Sequence, residues 1–140
     1  MKLIMERFNK FLEEGQDVGR VAKVVLIDKN DKVLILKRTQ KFVTEEMPWK
    51  WDLPGGHAET EEKLADTIDR EAWEEVSLSL GKVTEIYTEE ETTFFVSYEW
   101  EGKIMLSNEH EDYIWISPED IDNYDIGEKY SLAIGRITTK

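Results

Sequence analysis

The sequence contains no cysteine. That absence excludes disulfides, a thiolate zinc site and a cysteine nucleophile, and it fits a reducing compartment. No apolar run approaches the length needed to cross a bilayer. The opening Met1-Lys2-Leu3-Ile4-Met5-Glu6 turns polar too soon for a signal peptide. The expectation is a soluble, cytoplasmic protein with no membrane partner. Positive charge is also scarce, with 18 Lys and Arg against 31 Asp and Glu, a net charge of −13. Such a field repels a nucleic-acid backbone, and no basic stripe offsets it, so nucleic acid is not an expected partner. Small anionic substrates stay compatible with this charge if metal ions neutralise the site locally.

What is present has a globular balance: 140 residues, 40% hydrophobic and 11% aromatic, without repeats, low-complexity tracts or a Pro/Ser linker. One domain over residues 1–140 with its own core is expected. Leu3 to Leu12 carries Ile4, Phe8, Phe11 and Leu12 at helical spacing, and Gly15 would stop that helix. Arg20 to Ile27 and Lys32 to Leu36 are rich in β-branched residues around Asp28-Lys29-Asn30-Asp31, which predicts a hairpin. Thr39 to Lys50 reads as a loop. Trp51 to Leu53 reads as a short extended stretch, because Pro54 biases Leu53 away from helix. After the tight turn Pro54-Gly55-Gly56, Thr60 can cap a helix running to about Val76, with Glu61 and Glu62 in its first turn. Strands are expected near Val83 to Thr88, Thr92 to Trp100, Lys103 to Leu106 and Tyr113 to Ile116. Ser117-Pro118-Glu119 opens a helix, with Ser as cap and Pro at its first position. A last helix is expected near Glu128 to Ile137. Strands interleaved with helices on this scale predict an α/β fold, a mixed sheet sandwiched between helices.

Glu71, Glu74 and Glu75 stand at i, i+3 and i+4 and so share a helix face. At about 100° per residue, Leu64, Ala65, Ile68, Ala72 and Val76 form one apolar stripe. The three carboxylates fall on the adjacent strip, where the helix meets the sheet. Crowded carboxylates there have raised pKa values and cost stability unless a cation occupies the site. Their oxygens suit Mg²⁺ or Mn²⁺ far better than soft metals. A hard cation on a small domain points to phosphate chemistry. Three glutamates alone would more simply be a solvated acidic face. The fixed spacing of a larger set changes that reading.

The larger set is Gly56-x5-Glu62-x7-Arg70-Glu71-Ala72-x-Glu74-Glu75-x-Ser77-Leu78. It resembles the Nudix box of the Nudix (MutT-like) hydrolases, G-x5-E-x7-R-E-U-x-E-E-x-G-U, with U a bulky aliphatic residue. Trp51-x-Leu53-Pro54-Gly55-Gly56 looks like the strand and turn that lead into the box. Tyr113-Ile114-Trp115-Ile116-Ser117 looks like the usual late strand. Two positions depart from the pattern: Ala72 replaces the bulky aliphatic residue, and Ser77 replaces the final glycine, which permits a left-handed turn after the helix. The resemblance implies a Nudix-like α/β/α sandwich and Mg²⁺-dependent hydrolysis of a nucleoside diphosphate linked to another moiety, with Mn²⁺ as an alternative ion. It implies Glu71, Glu74 and Glu75 as metal ligands, with a backbone carbonyl of Gly55 or Gly56. Glu74 and Glu75 also count among the catalytic groups. Arg70 orients the glutamates through charge-assisted hydrogen bonds, and Glu62 and Gly56 support them. Glu109, six residues before Trp115, stands where family members often carry a further acid. It is read as general base or extra ligand, with Glu111 and Asp112 as alternatives.

Other residues carry two readings each. His57 and His110, the only histidines, flank the proposed site by sequence, but histidine is ordinary in polar loops. Trp49 and Trp51 could stack a base of the substrate, although packing in a core or lid is the commoner role. Lys37 and Arg38 end a strand that would face the cleft; they either hold phosphates or are solvated. Phe94, Phe95, Val96 and Tyr98 read as strand packing, and Glu89-Glu90-Glu91 as a solvated turn. No proline lies between Pro54 and Pro118. That disfavours the ADP-ribose branch of the family, which carries one after the box. The size suits the branch that cleaves nucleoside triphosphates to monophosphate and pyrophosphate. Hydrolysis of ADP-ribose or a nucleotide sugar is the alternative, and a catalytically silent nucleotide sensor is another. Homodimers are common in the family, and the sequence leaves oligomeric state open.

Overall fold

The computed structural model describes residues 20–138; the helix expected near Leu3 to Leu12 lies outside them. Strand β1, Val21–Leu26, is the centre of the fold. Both its edges are taken: β4, Gly55–His57, pairs antiparallel on one side, and β7, Thr92–Ser97, pairs parallel on the other. β6, Thr84–Glu89, extends this sheet antiparallel to β7, giving the order β4-β1-β7-β6. A second sheet has β2, Val33–Arg38, between β3, Trp51–Asp52, and β9, His110–Ile116, all antiparallel. A small third pair joins β5, Ser79–Leu80, to β8, Trp100–Glu101.

β1 carries apolar residues on both faces, so side chains of opposite parity enter two cores. Ala22, Val24 and Leu26 join Leu34, Leu36, Phe95 and the buried side of helix α1, Leu64–Val76. Val25 and Ile27 join Val33, Ile35, Phe94, Ile116 and helix α2, Glu128–Thr138, through Tyr130, Ala133 and Ile134. Helices therefore cover both faces of mixed β-structure, the α/β/α arrangement expected. Lys23 shares the parity of Val25, so it points into the α2 side of the molecule.

Several local expectations need correction. β1 and β2 do not form a hairpin; they touch through the single bridge Ile27 to Val33 and then enter different sheets. The turn itself is as read, with Asp28 Oδ1 accepting the N–H groups of Asn30 and Lys32. With both edges of β1 paired, no edge remains for β2. Lys103 to Leu106 is not a strand: Met105 N–H instead bonds the Val76 carbonyl at 3.0 Å, so this segment docks on the end of α1. The strand expected to run from Thr92 to Trp100 stops at Ser97, whose Oγ donates to the Lys82 and Glu99 carbonyls. The segment after Ser117 forms a 3₁₀ helix, Pro118–Asn123, rather than an α-helix.

Helix α1 starts at Leu64, not after Thr60. Glu61 is left-handed (φ 64°), and the Glu62 carboxylate accepts the Glu59 N–H and the Thr67 hydroxyl, which holds residues 59–62 in a turn. Thr67 is consequently buried, whereas Ala65, assigned to the apolar stripe, is exposed. At the other end Ser77 takes the left-handed conformation (φ 62°, ψ 28°) and donates its N–H to the Ala72 and Trp73 carbonyls. The serine thus adopts the turn that a glycine would ease, with its Oγ on the Met105 carbonyl.

Candidate active site

Gly55 and Gly56 follow a bend at Pro54 and open strand β4, rather than forming the tight turn expected, and they pack against α1. Gly55 has φ 140°, and a side chain there would run into the Ala22 backbone of the neighbouring strand. A Cβ on Gly56 would run into the Glu71 carboxylate, so that carboxylate lies directly over the glycine. One helical turn on, Glu75 Oε1 accepts the Gly55 N–H at 2.9 Å. Two carboxylates from one helix face therefore seat on two consecutive glycines. The two glycines tolerate substitution differently. Gly55→Ala forces a positive φ and a backbone collision, and is expected to cost about 3 kcal/mol or more. Gly56→Ala meets only the end of a flexible side chain and is expected to melt within a few degrees of the parent. Thermal melts of both by circular dichroism check this contrast.

Glu75 is only 6% exposed. Burial pushes its pKa well above the ordinary carboxylate range; Asp52 and Glu71 add to this, while Lys23 and the Gly55 N–H oppose it. Burial also raises Glu71, against the pull of Arg70. Arg70 occupies the outer side of the helix. Its Nε and Nη2 grip both oxygens of Glu62 at 2.9 and 3.0 Å, Nη1 bonds Glu74 at 3.0 Å, and Nη2 bonds the His57 carbonyl. The bidentate grip holds Glu62 down to about 2 and raises Arg70 further.

Beside Glu75 a cavity of about 280 Å³ is lined by Lys23, Arg38, Asp52, Glu109, His110 and Tyr130, among others. Lys23, 4% exposed, donates to Asp52 Oδ2 at 3.0 Å and to the Leu53 carbonyl. Arg38 Nη1 meets the same Asp52 oxygen at 2.9 Å, and its Nε and Nη2 bond the Phe42 carbonyl. For Lys23, desolvation lowers the pKa, but Asp52, Tyr130 and Glu75 together outweigh it and the net shift is upward. Glu109 reaches the cavity from a loop fixed at both ends. Its carbonyl accepts the Thr39 N–H at 2.8 Å, and Ser107 N–H bonds the Glu75 carbonyl at 3.0 Å. The β9 register slips between Lys37 and Arg38, an irregularity of the kind that re-aims side chains near functional sites. A larger hollow of about 690 Å³ by β5 and β8 contains none of these groups.

The whole arrangement matches a known domain over most of its length: the family model for the NUDIX domain matches residues 18–133. The chain belongs to the Nudix domain family. Among curated relatives, the 8-oxo-dGTP diphosphatase of Buchnera aphidicola subsp. Schizaphis graminum is 30% identical over 116 residues, 78% of this chain and 85% of that protein. The m7GpppN-mRNA hydrolase NUDT17 of Danio rerio is 41% identical over 70 residues, half of this chain but only 22% of that protein. Among solved structures, MutT from Bacillus halodurans superposes with a TM-score of 0.69 at 21% identity, covering 86% of this chain and 82% of the other. A MutT Nudix hydrolase from Burkholderia pseudomallei gives 0.70 at 17% identity, covering 84% and 95%. Among the described residues no helix is long and apolar enough to cross a membrane.

Within the Nudix box the glutamates are not equivalent. Glu75 lines the cavity and Glu71 lies on the adjoining Gly56, but Glu74 is 54% exposed at its side chain, held by Arg70, and does not line the cavity. The expectation that all three sit where helix meets sheet fails for Glu74. Of the late acids, Glu109 lines the cavity, whereas Glu111 pairs with Lys37 at 3.4 Å and Asp112 Oδ1 accepts the Tyr113 N–H. Neither tryptophan lines the cavity. Trp51 packs edge-on to Tyr124 at 5.4 Å, and Trp49 borders Gly127. His57 and Arg38 do line it. The sequence reading missed Lys23 and Asp52. A signal existed: Lys23 interrupts the run Val21-Ala22-Lys23-Val24-Val25-Leu26, where a charge in a strand buried on both faces demands a partner.

Proposed function

We propose that this Nudix domain is a metal-dependent pyrophosphohydrolase that cleaves a nucleoside triphosphate to the monophosphate and pyrophosphate. The observation that carries the reading is the seating of Glu75 and Glu71 on Gly55 and Gly56. Two carboxylates with raised pKa values, one deeply buried, are costly as they stand and become favourable beside a cation. The donor set fits Mg²⁺ or Mn²⁺: carboxylate oxygens of Glu71, Glu75 and Glu109. A divalent ion held by these residues would supply charge neutralisation at the diphosphate and a more nucleophilic water.

The chain's own residues do the rest. Arg70 ties the outer side of the helix to Glu62, Glu74 and the His57 carbonyl, which holds the glutamate-bearing turns in place. Arg38 lines the cavity as a cation already oriented by Asp52 and Phe42. The cavity, about 280 Å³, lies just below the usual range of ligand sites, roughly 300–1,000 Å³. It fits one nucleoside moiety better than two. Glu74 stays with Arg70 in a supporting role.

Hydrolysis of a nucleotide panel with Mg²⁺ tests this. The panel holds nucleoside triphosphates including 8-oxo-dGTP, ADP-ribose, nucleotide sugars, dinucleoside polyphosphates and an m7GpppG cap. Monophosphate and pyrophosphate from a triphosphate are expected. Absence of metal-dependent turnover across the panel would overturn the reading. Metal should also stabilise the fold: at a concentration 100 times the dissociation constant, about 2.7 kcal/mol is expected. Melts with Mg²⁺ and with a chelator measure it, and the shift should largely vanish in Glu75→Gln.

A further inference from the structure

The tightest convergence of ligating atoms among the described residues includes an imidazole. One atom each from Glu75, Glu109 and His110 lie within 4.8 Å of one another. His110 is 5% exposed, and its Nδ1 is buried with no hydrogen-bond partner. A buried polar atom left without a partner costs about 1–3 kcal/mol, so Nδ1 calls for an ordered water or a bound ion. Two polar neighbours in the cavity, Asp52 and Arg38, are committed elsewhere. Asp52 is held by Lys23, Arg38 and the Leu53 N–H. Arg38 is spent on Asp52 and the Phe42 carbonyl. Backbone contacts set the position of the imidazole: His110 opens β9 opposite Arg38, and its N–H bonds the Ser107 carbonyl at 3.3 Å.

We propose that His110 is a metal ligand, forming with Glu75 and Glu109 a mixed nitrogen–oxygen site that selects a first-row transition ion over Mg²⁺. Carboxylates alone suit Mg²⁺, which takes oxygen ligands and sheds water reluctantly. A neutral imidazole adds a ligand that transition ions accept far more readily. The inference rests on the metal-dependent reading above and specifies which ion that site prefers.

The test uses tag-free, full-length protein with Mn²⁺ as probe and does not depend on turnover. Electron spin echo envelope modulation on bound Mn²⁺ should show coupling to a ¹⁴N nucleus. His57 and His110 are the only histidines, so the coupling should persist in His57→Gln and disappear in His110→Phe. Competition titrations should show Mn²⁺ bound at least roughly tenfold more tightly than Mg²⁺. His110→Phe should lose at least roughly tenfold in Mn²⁺ affinity, the loss that even an indirect partner of a metal ligand causes, with Mg²⁺ affinity little changed. Bound Mn²⁺ without ¹⁴N coupling in the unmodified protein would overturn the proposal, whether or not the variant folds. Equal losses for both ions would overturn it too. If ¹⁴N coupling appears but no nucleotide is cleaved with either ion, the ligand assignment stands and the hydrolase reading fails.

Discussion

Glu75→Gln is expected to lower metal-dependent turnover by roughly a thousandfold or more, about 4 kcal/mol of barrier, while the fold survives. Gln is nearly isosteric and keeps an oxygen for the Gly55 N–H, so the contact at 2.9 Å can persist. What it removes is the charge. The folded-state pKa of Glu75 lies well above its unfolded value. A carboxyl of that kind favours the fold when protonated. Its contribution is complete below pH about 4.5 and is lost as pH rises toward the folded value. Metal-free Glu75→Gln should therefore melt no lower than the parent at pH 8, and the difference should shrink toward pH 4. Steady-state kinetics and metal-free melts on the same sample separate the two effects. Near-normal turnover would remove Glu75 from the site.

Asp52→Ala is expected to be strongly destabilising. Asp52 Oδ2 is shared by the Lys23 ammonium and an Arg38 guanidinium nitrogen at 3.0 and 2.9 Å, all three groups lying at or near full burial. Removing it leaves Lys23 buried without its counter-charge, which costs about 3–5 kcal/mol. For a chain of this size that is a fall of roughly 10–20 °C in Tm. The paired change Lys23→Met with Asp52→Ala should recover much of the loss, because it deletes both charges. A double-mutant cycle on denaturant midpoints measures the coupling, and additive losses would show that the pair is not coupled.

The sequence made the box legible because its chemistry is periodic. Carboxylates at i and i+4 must lie one turn apart on any helix, and Glu71 and Glu75 do. It marked Gly55 and Gly56 as a tight turn, whereas they open strand β4, where Gly55 at φ 140° lies against the Ala22 backbone. Local spacing could not say that Glu74 turns outward, because that depends on Arg70, which also draws in Glu62 and the His57 carbonyl from outside the helix. Nor could it show Thr60 losing its cap position, which follows from Glu62 bonding Glu59 and Thr67. The split of β1 and β2 into separate sheets is a non-local outcome of edge competition. Asp52 and His110 looked ordinary because their partners stand 29 and 14 positions away or, for the Nδ1 of His110, are absent.

The last turn of α1 ends in carbonyls that a helix cannot satisfy itself. Those of Glu75 and Val76 are taken by the N–H groups of Ser107 and Met105. The loop bearing Glu109 is thus strapped to the very residue whose carboxylate it faces. When the helix end shifts, the strap carries the acid with it. The gap between Glu75 and Glu109 behaves as a fixed calliper rather than an adjustable one. A single residue inserted between Met105 and Glu109 is expected to reset the jaw.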